Sequence, residues 1–138
     1  MIEVLNLQRR YWVDRRKFVR VLARLAEKYG LDDPEVTLAF VETRTITRLN
    51  RKFLKRDGPT DVLSFPGLGK AGHGKPHLGD IIISVPQAFR QSFAEEHGLE
   101  TELLDLTVHG FLHLLGLDHG KGIKEEEVRM REALEEGV

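Results

Sequence analysis

Hydrophobic and polar positions alternate along this chain with two different periods, and the changes of period mark out its elements. Ile2, Val4, Leu5 and Leu7 form a short apolar run that predicts a strand. Between Asp14 and Tyr29 the apolar residues Phe18, Val21, Leu22 and Leu25 fall three and four apart, which predicts a helix with one buried face and Gly30 as its stop. Val36 to Val41 (VTLAFV) predicts a second strand, and Thr43 is placed to cap a second helix running to about Leu54. Asp61 to Phe65 (DVLSF) predicts a strand closed by Pro66, followed by a glycine-rich connection, Gly67 to Lys75, with no phosphate-loop pattern and the character of a mobile loop. Ile81 to Val85 (IIISV) predicts a buried strand, and Pro86 suits the first turn of a helix through about His97. A longer helix is expected from Glu100 to about Leu115. An acidic terminal helix follows from Lys124 to Glu136, with Val128, Met130 and Leu134 at packing positions.

Composition narrows what such a chain can do. At 138 residues, 41% hydrophobic and 31% charged, the chain suits one globular domain with one core, and residues 1–138 are read as a single domain. It contains no cysteine, so any metal must be held by the nitrogen and oxygen of His, Asp and Glu. The N-terminal segment carries charges too early for a signal peptide and no apolar run reaches membrane length, which gives the cytosol as the expected location. Charge is divided unevenly: residues 1–56 hold 14 Lys or Arg against 7 Asp or Glu, and residues 57–138 hold 7 against 15. That polarity fits a surface for a polyanion and equally an ion-paired surface.

The second predicted helix concentrates the positive charge. Arg44, Arg48, Arg51 and Lys55 share one face, Ile46, Leu49 and Phe53 lie opposite, and no acid occurs between Thr43 and Arg56 to pair with the stripe inside the helix. The stripe faces either solvent or an anionic partner. No aromatic residue lies beside the stripe on its own face, which argues against base-stacking specificity.

Three of the six histidines fall within eleven residues, as His109-Gly-Phe-Leu-His113-Leu-Leu-Gly-Leu-Asp-His119. Histidines four apart on a helix are separated by about 40° around the axis and about 6 Å along it, so both imidazoles can reach one ion. Gly116 can end the helix through a positive-φ turn and fold the chain back, bringing His119 to the same ion. Three imidazoles around one zinc leave a tetrahedral position open, the hallmark of a catalytic site, although nickel, copper and iron suit the same donors. The spacing reproduces the metzincin frame, but the residue after the first histidine, a catalytic Glu in zinc proteases, is Gly110, which disfavours peptide hydrolysis. Asp118 either orients a ligand imidazole or caps the turn. His73 and His77 are read as exposed loop histidines, and His97 is given no role. Ser64 with Asp61 lacks the nucleophile elbow a serine hydrolase needs.

Two segments, Pro59-Thr-Asp-Val-Leu-Ser-Phe-Pro66 and His109 to His119, joined by Leu78-Gly-Asp-Ile81, resemble the YbeY family of bacterial single-strand-specific metallo-endoribonucleases acting in rRNA maturation and ribosome quality control. The resemblance implies an α+β, zincin-like fold with a mixed β-sheet of about four strands, helices packed on it, and a metal site on a helix and the following turn. It implies one zinc per chain on His109, His113 and His119, cytoplasmic action, and RNA and the small ribosomal subunit as partners, with no membrane or DNA role. The family usually carries an arginine implicated in activity where this chain has Leu54, so Lys55 or Arg56 is the candidate replacement cation. Adjacent helical residues point about 100° apart, so such a replacement requires the helix to end in a loop-like turn. Leu117 stands where the family often has tyrosine.

The resemblance implies phosphodiester cleavage in single-stranded RNA, at the 3′ end of small-subunit rRNA, and the basic stripe fits it, with Arg44, Arg48, Arg51 and Lys55 on the backbone. Two alternatives stand beside it: an RNA- or ribosome-binding assembly factor with a structural zinc, and a zinc hydrolase of a small molecule.

Overall fold

In the computed structural model, which describes residues 1–67, 77–118 and 122–137, the elements follow in the order β1 (Ile2–Asn6), α1 (Arg15–Lys28), β2 (Glu35–Val41), α2 (Thr43–Leu54), β3 (Val62–Pro66), β4 (His77–Ser84), α3 (Val85–Ala94), α4 (Leu99–Leu114) and α5 (Ile123–Gly137). The four strands lie in the order β1-β2-β4-β3. The first three run parallel, and β3 is antiparallel to β4. The α+β expectation with a mixed four-stranded sheet is therefore met.

Both faces of this sheet are covered, and the period-two alternation of its strands divides the core in two. Val36, Leu38, Phe40, Ile81 and Ile83 join the larger cluster with Phe18, Leu22, Leu25, Phe111 and Leu112 of α1 and α4. Ala39, Val41 and Leu63, with Ile82 packed beside them, meet Ile46 of α2 on the opposite face. Asp14 caps α1 by accepting from Lys17 N at 3.2 Å.

Several boundaries differ from the expectation for local reasons. The residue before α2 is Glu42, which makes no side-chain cap bond; Thr43 is already helical, and its hydroxyl lies 3.3 Å from Ser84 Oγ. Ser84 caps α3 instead, accepting from Gln87 N. α3 stops at Ala94, short of His97, as Glu96 takes a left-handed φ of 57°. β4 begins four residues earlier than its apolar run, because Gly79 and Asp80 pair with Pro66 and Phe65 of β3. That pairing brings backbones so close that a Cβ on Gly79, at φ +134°, would lie 2.2 Å from the Phe65 carbonyl oxygen. His77 lies on this strand, not in a loop. The glycine-rich connection from residue 68 onward, with His73, lies outside the described residues.

Gly110 sets how closely α4 approaches the sheet. A Cβ there would lie 2.7 Å from Ile81 Cγ2 and 3.2 Å from Ser64 Oγ, and the Ser64 hydroxyl donates to the Gly110 carbonyl at 3.2 Å. The direction that a protease Glu would need at this position points into the sheet. Gly110→Ala adds a methyl against a stiff β-branched side chain, an overpacking cost of about 1–3 kcal/mol. The gain in helix propensity, about 1 kcal/mol, offsets only part of it. A lowered urea midpoint is expected for this variant; a raised midpoint would contradict the close seating of α4.

Candidate metal centre

α4 runs between the sheet and α5, and its partly exposed side carries His109 and His113 one turn apart. The two Nε2 atoms are 2.9 Å apart, with ring centroids 4.4 Å apart. On its other nitrogen, Nδ1, His109 bonds the Glu127 carboxylate of α5. That bond retains the Nδ1 proton, so a neutral His109 presents its Nε2 lone pair toward His113. Two imidazole nitrogens so disposed can reach one cation, and tetrahedral zinc with bonds of about 2.0–2.1 Å needs only slightly more, about 3.3 Å between ligand atoms. The donor set thus fits a divalent ion with a borderline-soft character. His119, the third predicted ligand, lies outside the described residues.

The turn after α4 forms as glycine permits. Gly116, at φ 93°, donates to the His113 carbonyl at 2.9 Å and Leu117 N donates to the Leu112 carbonyl at 3.1 Å, the paired bonds of a Schellman ending. The chain is therefore turned back beside His113 at Leu117 and the exposed Asp118.

In front of the two histidines lies an open cavity of about 450 Å³. Its other walls come from the C-terminus of α2, the following loop and β3, including Asn50, Leu54, Arg56 and Ser64. The loop is built by Asn50, which is 5% exposed: its carbonyl accepts from Lys55 N and Arg56 N, and its side-chain amide donates to the Gly58 carbonyl at 3.2 Å. Lys55 is left-handed, with φ 56° and ψ 33°, and this ends the helix. The loop-like turn required by the sequence argument is present. Arg56 lines the cavity and Lys55 does not, so the turn separates the two candidate cations, while Leu54 occupies the wall as an apolar residue.

A second cavity, about 300 Å³, lies on the far side of His109, which lines both. His97, Glu102 and Asp105 meet there with one ligand-type atom each within 4.8 Å, a group that could hold a metal ion. Its members already have protein partners. Glu102, 3% exposed, accepts from Gln91 at 2.9 Å and bonds His97 Nε2 at 2.6 Å, and Asp105 pairs with Arg131 at 3.4 Å. These bonds let a carboxylate be buried at the base of α4. Burial pushes the Asp105 carboxyl up from its ordinary value, with the Arg131 charge opposing.

A family model described as Endoribonuclease YbeY matches residues 6–137. The chain belongs to the YbeY family. An Endoribonuclease YbeY from Geobacillus kaustophilus is 43% identical over 129 residues, covering 86% of this chain and 80% of the relative. One from Moorella thermoacetica is 45% identical over 131 residues, covering 86% and 83%. The solution structure of the Thermotoga maritima protein TM1509 superposes with a TM-score of 0.66 at 27% identity, over 97% of this chain and 89% of that one.

Within this YbeY chain the structure brings His109, His113 and Arg56 to one cavity, and leaves Arg44, Arg48, Arg51 and Lys55 exposed along and just beyond α2. Arg51 reaches Asp57 at 3.9 Å, a pairing between two highly exposed groups that contributes little. Sequence reasoning did not find Glu127 or the His97–Glu102 pair. Glu127 sits in a run of three glutamates, Glu125 to Glu127, where nothing local distinguishes it; only the packing of α5 on α4 brings it to His109.

The raised Asp105 gives a pH test. A carboxyl with a folded pKa above its unfolded value binds extra protons in the folded state, so its contribution to stability falls as pH rises from the unfolded value through the folded one. Asp105→Asn is therefore expected to melt above the wild type at pH 7, with the difference closing as the pH drops below the ordinary carboxylate range. A wild type more stable than the variant at pH 7 would contradict it.

Proposed function

We propose that this chain is a metal-dependent endoribonuclease that hydrolyses phosphodiester bonds in single-stranded RNA, with zinc held by His109, His113 and His119. The observation that carries the reading is the convergence of the two α4 imidazoles on the cavity that also holds Arg56. A divalent ion bound there supplies Lewis-acid polarisation and lowers the pKa of water. The chain's own residues do the rest: Glu127 holds the His109 ring in the tautomer that presents Nε2, and Asn50 holds the turn that aims Arg56 into the cavity. Arg56 neutralises the charge that builds on the phosphoryl oxygens, the task for which a fixed guanidinium is suited. We assign Arg56, ahead of Lys55, as the substitute for the arginine absent at Leu54. Asp118 is the second-sphere candidate beside His119. Arg44, Arg48 and Arg51 contribute phosphate contacts leading to the cavity.

The names of the relatives support RNA as the substrate, and the resemblance extends the reading to small-subunit rRNA maturation, ribosome quality control and the small ribosomal subunit as partner, in the cytoplasm. Among the described residues no helix is long and apolar enough to cross a membrane. A second reading, an RNA-binding assembly factor with a structural zinc, is favoured by one observation: the apolar Leu54 forms part of the cavity wall.

Cleavage of a labelled single-stranded RNA by zinc-loaded protein separates the two. The nuclease reading expects His113→Ala to lose at least about a hundredfold in rate and Arg56→Ala about ten- to hundredfold, the range for removing one transition-state charge partner. Leu54→Arg should gain activity. Salt-sensitive RNA binding without turnover, identical in wild type and His113→Ala, would establish the assembly-factor reading instead.

A further inference from the structure

At the opposite end of α2 from the metal cavity, three separate segments bring arginines together. Arg44 and Arg48 of α2, Arg10 of the loop after β1 and Arg90 of α3 line a cavity of about 600 Å³. All four are exposed, and the single carboxylate in the lining, Glu42, accepts at 3.4 Å from the backbone N–H of Arg9. Glu42 precedes α2 without capping it, so the positive end of that helix adds to the field. Only two of these arginines belong to the stripe visible in the sequence.

Beside them the fold assembles aromatic rings that the sequence scatters. Tyr11, next to Arg10, stacks at 4.8 Å on Phe89, next to Arg90, and Phe89 meets Phe93 edge-on at 4.9 Å. Phe93 remains 70% exposed, and Trp12, in the same loop as Arg10, is 81% exposed. The basic face of α2 carries no ring of its own, whereas the fold sets rings next in sequence to Arg10 and Arg90. Exposed guanidinium groups around a cavity, of which Arg90 also bonds the Gln87 side chain, with exposed rings on the adjoining segments, combine the two elements that hold a single strand: cations for the phosphates and faces for the bases. A duplex keeps its bases stacked inside and offers nothing to the rings.

The geometry points to a second nucleic-acid subsite, in which Arg10, Arg44, Arg48 and Arg90 bind backbone phosphates of a single strand and Phe93 and Trp12 stack on its bases. It rests on the endoribonuclease reading and adds to it the path of the substrate. From Arg44 to Leu54 the helix axis spans about 15 Å, or about four stacked nucleotides at about 3.4 Å each. Arg51 lies between, on the face shared by Arg44 and Arg48. The strand runs along α2 from the arginine cavity to the metal cavity, so the chain should prefer substrates with several unpaired nucleotides on one side of the cut.

Fluorescence anisotropy with a labelled ten-nucleotide oligouridylate tests the subsite independently of turnover, run on the wild type, the double variant Arg10→Glu/Arg90→Glu, Phe93→Ala, and Lys28→Glu as a remote charge control. The double variant is expected to bind at least tenfold more weakly, with a salt dependence shallower by about two. Phe93→Ala should lose affinity severalfold with the salt dependence retained, and Lys28→Glu should match the wild type. Trp12, the single tryptophan, should be quenched by the oligomer and not by a blunt duplex of equal length. Wild-type affinity in both the double variant and Phe93→Ala would overturn the subsite and leave this patch to a protein partner. Binding that depends on these residues, in a protein that cuts no RNA, would uphold the subsite and overturn the nuclease reading alone.

Discussion

The separation between α4 and the sheet governs the candidate metal centre, and Gly110 is what permits it to be small. With no side chain at that position, the helix lies against Ile81 and Ser64, and the adjoining side, which carries His109 and His113, faces the cavity that Ser64 also lines. A helix held further off, or rotated to relieve a clash, would separate the Nε2 atoms from Arg56. The same seating explains the absence of the protease glutamate in physical terms: the position after the first histidine faces a packed interior, where an ionised carboxylate would be costly to bury. Chemistry at this site therefore depends on groups from other elements.

Those groups arrive from two directions. Glu127 comes from α5 and fixes the His109 ring; Arg56 comes from the turn after α2, where Asn50 and the left-handed Lys55 end the helix. Leu54 is an apolar part of the cavity wall, and the turn presents a cation two residues later. A cation presented from a loop is less rigidly placed than one on a helix, and Asn50 compensates with three hydrogen bonds across the turn.

Much of this was legible in the sequence wherever the signal is local. Among the described residues the apolar periodicities located the strands and helices to within a few residues, and the four-residue spacing of His109 and His113 required only helical geometry to bring them together. What was not legible depends on packing. The His97–Glu102 pair joins a post-helix turn to the first turn of α4, and the ring row of Tyr11, Phe89 and Phe93 joins segments almost eighty residues apart. Thr43 misled because a good capping residue one position inside a helix resembles a cap in sequence, although the backbone had already turned helical. The choice between Lys55 and Arg56 turned on one dihedral angle that no periodicity encodes.

Metal binding tests the central claim more directly than turnover does, because it needs no substrate. Zinc titration against a chromophoric chelator should give one tightly held ion per chain in the wild type, no comparable site in His113→Ala, and an affinity ten- to hundredfold lower in Glu127→Ala, the usual range for losing a carboxylate behind a ligand histidine. Equal zinc affinity in the wild type and His113→Ala would contradict the assignment of the α4 histidines as the metal centre.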